Sequence, residues 1–298
     1  MNYLRLLHFL LVFFLISLGA VRAQQNILIG AITVGKSESM SYQIIYELDK
    51  NNYLSGYSIS DLNGSEETKA QIAGFYNPKN KILYFEEKSI ISTRSKTPID
   101  EFCLMKVKGR LEKKSGKSIY SGKFNSFCLD PMVVCDSGSI LLMPEKDILE
   151  LKKKVTKAIQ KLPVPDSLKT NTDISQDTVI SVRKEFNLVP ESETEFKLNA
   201  DFVVLELVDD KYQDGDKVTI MENNKIVLAD FEITNRVKTL RFPINKDDKK
   251  LTLTIIAVDE GSIALTTIKA VLKNGNESNL INATLDKGQL IRISFIKE

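Results

Sequence analysis

The sequence predicts an all-β protein, with an N-terminal eight-stranded antiparallel barrel, one amphipathic helix after it, and then a C-terminal β-sandwich. Three observations support this fold class. Short strand-like runs separated by turn formers fill residues 24–143. One run with helical periodicity follows them. A second series of strand-like runs then occupies residues 186–298.

The first series predicts eight strands: Ile27–Val34, Ser41–Leu48, Tyr53–Ser60, Lys69–Tyr76, Ile82–Ile91, Phe102–Leu111, Ser118–Phe127 and Ser139–Met143. Glycine inside a strand marks a bend, a bulge or the close approach of another backbone. Such glycines recur here at Gly56, Gly74, Gly109 and Gly122. Regular bends favour a closed up-and-down barrel over a sandwich, because closure leaves no exposed edge.

This succession of strands, with a helix after the last one, resembles the barrels of lipocalins and avidins. A barrel interior is a natural apolar pocket. Aromatic side chains of the predicted strands are nevertheless expected to fill it as core, among them Phe75, Tyr76, Tyr84 and Phe85.

The predicted helix spans Pro144 to Leu162, where apolar residues recur with the helical period. Proline suits its first turn, and Glu145 and Asp147 suit the positive end of the helix dipole. Residues 163–185 are rich in Ser, Thr, Asn, Asp and Pro and predict a linker between a barrel domain, 24–162, and a sandwich domain, 186–298.

The second series predicts about eight further strands: Glu195–Leu198, Phe202–Val208, Val218–Glu222, Lys225–Leu228, Thr239–Ile244, Leu251–Val258, Thr266–Leu272 and Leu290–Ile296. Polar and apolar residues alternate in the clearest of them, which predicts one buried and one wet face. Asn223-Asn224 predicts a tight hairpin turn. Many short strands in so few residues favour a β-sandwich.

Residues 1–23 predict a cleaved signal peptide, with the charge of Arg5, the apolar run Leu6–Leu18 and small residues at Val21 and Ala23. The apolar run is short for a membrane span, so we expect no transmembrane segment in the mature chain. The expected location is secreted, periplasmic or at the cell surface. Without Arg5 and Arg22 the chain has 39 Lys and Arg against 39 Asp and Glu, so we expect no nucleic acid partner.

Histidine is absent from the mature chain, since the single histidine, His8, lies in the signal peptide. This excludes Ser-His and Cys-His catalysis and His-ligated zinc. The mature chain keeps three cysteines, Cys103, Cys128 and Cys135. In an oxidising compartment they predict one disulfide and one free thiol, with three pairings open.

An acidic turn follows the strand Phe202–Val208 and is the best candidate for chemistry in the chain. Its carboxylates, with Gly215 to bend the loop, have the oxygen ligands that calcium prefers; they are Asp209, Asp210, Asp214 and Asp216. Asp259-Glu260-Gly261 ends another strand and is expected near the same edge. The alternatives are an ordinary solvated turn and a carboxylate pair for glycoside hydrolysis.

The run from Asp214-Gly215-Asp216-Lys217-Val218 through Asn223-Asn224 to Leu253–Ser262 resembles a C-terminal β module of secreted Bacteroidota proteins. It resembles, more distantly, the calcium-dependent carbohydrate-binding modules. The likeness covers about residues 202–272. The resemblance to the carbohydrate-binding modules implies calcium at Asp214 and Asp216 and a nearby sugar site, for which Tyr212 is the available aromatic platform.

Three functions follow as hypotheses. The first is a non-catalytic secreted binding protein that recognises a ligand, glycan or partner at the cell surface. The second is a structural component of a surface assembly. The third is a carboxylate-dependent hydrolase.

Overall fold

The structure is a computed structural model that describes residues 25–35, 38–114, 116–128, 130–160, 184–209, 213–244, 248–263, 265–275 and 277–297. The predicted signal peptide and residues 163–183 of the predicted linker lie outside these ranges. No helix in the described part of the chain has the length and apolar character to cross a membrane.

The first eight strands form a closed antiparallel barrel, as predicted. Each strand pairs with its neighbour in sequence, and β1 also pairs with β8, which closes the sheet. The strands are β1 (Asn26–Val34), β2 (Glu38–Leu48), β3 (Tyr53–Ser60), β4 (Thr68–Asn77), β5 (Ile82–Thr93), β6 (Leu104–Lys114), β7 (Lys117–Phe127) and β8 (Gly138–Pro144). A 3₁₀ turn, Ile99–Glu101, lies between β5 and β6.

Large side chains fill the barrel interior, which is a packed core. Tyr42, Phe85 and Tyr120 are fully buried there, and the Tyr120 hydroxyl donates a hydrogen bond of 3.0 Å to the carbonyl oxygen of Leu83. The interior glycines permit the close approach that the sequence predicts. At Gly122, a Cβ would lie 2.4 Å from the carbonyl oxygen of Lys108.

The prediction of four core aromatics is only half right. Phe85 is buried and Tyr76 packs against the core, whereas Phe75 and Tyr84 lie on the outer wall. The reason is the period of two along a strand. Leu83 and Phe85 point inward on β5, so Tyr84 between them must point outward.

The helix α1 (Glu145–Gln160) follows β8 directly and contacts β1 and β8. Pro144, predicted in its first turn, is instead the last residue of β8. The Asp147 carboxylate accepts a hydrogen bond of 3.2 Å from the backbone N–H of Ser118, which ties the start of the helix to β7. The last two residues of the predicted helix lie outside the described residues.

Two five-stranded sheets form the C-terminal β-sandwich. One has the order β10-β18-β15-β12-β13 and the other β14-β11-β16-β17-β9. Only the β9–β17 and β10–β18 pairs within these sheets are parallel. The strands are β9 (Lys184–Leu188), β10 (Glu193–Lys197), β11 (Phe202–Val208), β12 (Asp216–Glu222), β13 (Lys225–Glu232), β14 (Lys238–Pro243), β15 (Lys250–Glu260), β16 (Thr266–Asn274), β17 (Glu277–Leu285) and β18 (Leu290–Ile296).

Buried aliphatic residues from both sheets form one core between them. The predicted turn at Asn223-Asn224 joins β12 to β13, and both residues have positive φ angles, 46° and 68°. That conformation is the one a two-residue type I′ hairpin turn requires. Two strands, β9 and β17, are additional to the eight that the sequence predicts.

The disulfide joins Cys103 to Cys135, one of the three pairings that the sequence leaves open. It links the segment before β6 to the segment before β8, with the Cα atoms 5.6 Å apart. Cys128 is a free thiol, and its sulfur lies 3.0 Å from the carbonyl oxygen of Asp100.

The barrel docks on the sandwich through the end of β5. Thr93 forms a parallel β-bridge with Arg236. The Thr93 N–H donates to the backbone carbonyl oxygen of Asn235, and the Val237 N–H donates to that of Thr93, both at 2.9 Å. The Arg236 guanidinium also donates to the backbone carbonyl oxygens of Ser95 and Thr97.

A nearly buried ion cluster reinforces this contact. Arg94 of the barrel side lies 2.7 Å from Glu206 of β11 and 3.5 Å from Glu67. Lys273 of β16 holds the other oxygen of Glu206 at 2.8 Å. Glu206 is only 4% exposed, so the two cations compensate for the burial of its carboxylate.

Candidate functional site

The outer wall of the barrel carries one row of aromatic and cationic side chains. Strand pairing sets outward residues of five adjacent strands side by side, in the order Tyr53, Phe75, Tyr84, Lys108 and Lys123. Tyr53 is 63% exposed and Phe75 is 45% exposed. The rings of Phe75 and Tyr84 touch, with their centroids 5.3 Å apart. A contiguous group of outward apolar side chains, unlike a single one, marks a candidate binding surface.

Two more cations lie on β6, one on each side of the row. Lys106, Lys108 and Arg110 alternate with inward residues, so all three point outward. They border an open groove of about 660 Å³, which Ile82, Tyr84 and Lys123 also line. A second groove of about 560 Å³ shares Arg110 and is lined by Lys79, Lys81, Glu112, Lys113 and Lys114. We call the residues of the row and the two grooves the outer face.

Tyr84 is held in place by an acidic neighbour on the same face of β5. Its hydroxyl donates a hydrogen bond to the carboxylate of Glu86. The same carboxylate accepts a hydrogen bond of 2.5 Å from the Lys88 ammonium and lies 3.9 Å from the Lys106 ammonium. Desolvation, together with Glu86, raises the pKa of Tyr84 to about 12. The hydrogen bonds from Lys88 and Tyr84 lower the pKa of Glu86. Tyr84 is therefore a neutral, oriented ring at neutral pH.

Glu87, the next residue, points into the barrel, where its carboxyl group is buried in the core. One carboxylate oxygen accepts from the Tyr42 and Ser58 hydroxyls at 2.8 and 2.6 Å, and the other from the Met105 N–H at 2.9 Å. Burial raises its pKa, and these hydrogen bonds oppose the rise. Because these three donors belong to buried residues of the barrel core, we assign Glu87 a structural role.

The structure brings much of the predicted acidic turn together. Asp216 begins β12 and pairs with Glu260, so the Asp259-Glu260-Gly261 turn does lie at the same edge. The Ser262 N–H donates to the carbonyl oxygen of Asp214 at 2.8 Å. A Cβ at Gly261 would lie 2.3 Å from that oxygen, so glycine is needed for this approach. Asp210 and Tyr212 lie outside the described residues.

Two carboxylate oxygens of the acidic turn are buried without a hydrogen-bond partner, Oδ1 of Asp214 and Oδ1 of Asp216. The other oxygen of Asp216 accepts from the Thr267 N–H at 2.9 Å. Burial raises the pKa of Asp216 to about 6, and the charges of Asp214, Asp209 and Glu260 add to the rise. Among the described residues, no three acidic, histidine or cysteine side chains are grouped as they would be around a metal ion.

Sequence reasoning found the acidic turn and missed the outer face. The available signal was the alternation of Lys106, Lys108 and Arg110 with inward residues of β6. Comparison with known proteins gives no further guide, because no family model, no curated protein and no solved structure matches the chain.

Proposed function

We propose that this chain is a non-catalytic binding protein that acts outside the cytoplasm and contacts its ligand through the outer face of the barrel. The observation that carries the proposal is the row of exposed aromatic and cationic side chains across β3 to β7. In the described part of the barrel, fully buried Tyr42, Phe85 and Tyr120 occupy the interior, so the ligand is placed on the outside. The predicted signal peptide supports the location.

The outer face has the composition of a recognition surface. Aromatic side chains offer large contact areas at a small cost in conformational entropy, and arginine and lysine add polar contacts at the edge. The closed barrel holds these residues on rigid paired strands, which keeps their spacing fixed before the ligand arrives.

The experiment is a binding screen against immobilised polysaccharides, lipid vesicles and oligonucleotides. Residues 24–298 are compared with Phe75→Ser, which removes the more central of the two most exposed rings of the row. A matched control is Ile226→Ser, which changes an exposed apolar residue of the sandwich that is 56% exposed. We expect at least one ligand to bind the parent and the control alike and to bind Phe75→Ser at least fivefold more weakly. Equal binding by all three proteins would contradict the proposal.

We also propose a calcium site at the acidic turn, as the sequence predicts. The unpartnered buried oxygens of Asp214 and Asp216 support it, because a buried carboxylate oxygen needs a hydrogen-bond donor, a proton or a cation. Asp209, and Asp210 outside the described residues, would complete the set. Calcium there would brace the edge of the sandwich where β12 meets β15.

A further inference from the structure

The charge of the outer face indicates a polyanionic ligand. Among the described residues that line the two grooves, seven are lysines and one is an arginine, against a single acidic side chain, Glu112. Glu86 borders the grooves, 3.9 Å from Lys106. Arg110 and Lys114 lie 3.8 Å from Glu112 in exposed ion pairs, which are weak. Within the described residues, Lys108 and Lys123 make no ion pair, so their charges are available to a ligand.

The spacing of these cations fits a chain better than a single small anion. Alternate residues of a strand lie about 7 Å apart, so Lys106, Lys108 and Arg110 form a line of regularly spaced charges on β6. Lys123 lies beside Lys108 on the neighbouring strand. A small anion would need donors that converge on one point, whereas these cations present separate contacts to successive charged groups.

The aromatic half of the row indicates sugar rings between those charges. The apolar face of a pyranose stacks on an aromatic ring, and Phe75 and Tyr84 form a continuous pair beside the cations. The hydrogen bond from Tyr84 to Glu86 fixes the orientation of that ring. Aromatic rings and cations share one level of the barrel wall, whereas a membrane-binding surface places its apolar groups deeper than its cations.

We propose that the outer face binds an anionic polysaccharide, with carboxylate or sulfate groups on Lys106, Lys108, Arg110 and Lys123 and sugar rings on Phe75 and Tyr84. This inference rests on the proposed function and names the ligand class of the same site. Single-stranded nucleic acid shares part of this chemistry. The near-neutral mature chain and the predicted export favour the polysaccharide.

The test measures binding of residues 24–298 to heparin, polygalacturonate, neutral dextran, oligo-dT and vesicles of anionic phospholipid at low and at physiological salt. The charge variant is Lys108→Ser with Lys123→Ser. Its control is Lys225→Ser with Lys249→Ser, which removes two exposed lysines of the sandwich and leaves the same net charge. Far-UV circular dichroism confirms that each variant keeps its fold.

We expect heparin or polygalacturonate to bind and dextran not to bind. The charge variant loses two contacts between an exposed lysine and an anionic group of the ligand, so it should bind about tenfold more weakly than the parent. Its control should bind as the parent does. Phe75→Ser should weaken polysaccharide binding as well, and salt should weaken all of it.

Other outcomes separate the two proposals. Tighter binding of oligo-dT or of vesicles, or binding of dextran that Phe75→Ser reduces, would overturn the polysaccharide and leave the outer face as the binding site. Polysaccharide binding that the outer-face variants leave unchanged would overturn both.

Discussion

Glu87 is the most informative single residue for the stability of the barrel. Three donors from three other strands point at its carboxylate, Tyr42 from β2, Ser58 from β3 and Met105 from β6. Replacement by alanine leaves all three without this acceptor inside a packed core. Each unsatisfied buried group costs about 1–3 kcal/mol, so we expect Glu87→Ala to lower the free energy of unfolding by about 3–5 kcal/mol after partial relaxation.

The measurement is urea denaturation followed by far-UV circular dichroism, because the chain has no tryptophan to report by fluorescence. The matched control is Glu86→Ala, since Glu86 is the preceding residue, has the same chemistry and lies on the outer wall. Its loss should be under about 1 kcal/mol, as for an exposed ion pair. Equal losses for the two variants would refute the structural role of Glu87.

The pH dependence of the same residue has a definite sign. Because burial raises the pKa of Glu87, the folded protein keeps this proton at pH values where the unfolded chain has lost it. The resulting stabilisation is complete below the ordinary glutamate pKa and is lost as the pH rises through the raised value. Relative to Glu87→Gln, the parent should therefore become less stable as the pH rises from 4 to 7. A constant difference would contradict the raised pKa.

Three further predictions concern the sandwich, the contact between the two units and the disulfide. Burial raises the pKa of Asp216 to about 6, so without calcium the parent should lose stability as the pH rises from 4 to 7. Asp216→Asn should not show this loss and should therefore be more stable than the parent at pH 7. With calcium, only the parent should gain thermal stability; a gain in both, or in neither, would return the turn to an ordinary solvated loop. Arg94→Met should lower the free energy of unfolding by about 1–3 kcal/mol, because Glu206 still has its ion pair with Lys273. The same variant should speed hydrogen exchange at the Val237 amide, which bonds across the contact between the two units. The control is Arg110→Met, which removes an exposed arginine. Loss of the Cys103–Cys135 bridge, which spans 32 residues, should lower the free energy of unfolding by about 3–4 kcal/mol in Cys103→Ser with Cys135→Ser, whereas Cys128→Ser should change it little; equal losses would contradict the pairing.

The sequence predicts most of the strands because buried alternation and turn residues are local signals. The ends of β3, β11 and β18 agree residue for residue with the predicted runs. The strand β17 was missed because its inward residues include Asn279 and Ala283, which weaken the apolar period of two. The edge strand β9 is short and charged, and its pairing with β17 is set by tertiary structure.

The acidic turn was predictable for the same reason, since its carboxylates are close in sequence. The outer face was not, because it depends on the register of five strands at once. A shift of one residue on β4 would turn Phe75 inward and break the row. Phe75 and Tyr84 point outward because side chains alternate along β4 and β5, and for this reason the prediction that all four aromatics are core is wrong for these two.

The most direct test of the outer face is lysine footprinting. Residues 24–298 are acetylated briefly with and without saturating heparin or polygalacturonate, and the modified lysines are quantified by mass spectrometry. The account predicts at least threefold protection of Lys106, Lys108 and Lys123, with Lys225 and Lys249 of the sandwich unchanged. Protection confined to the sandwich lysines, or equal labelling of all five with ligand bound, would contradict it.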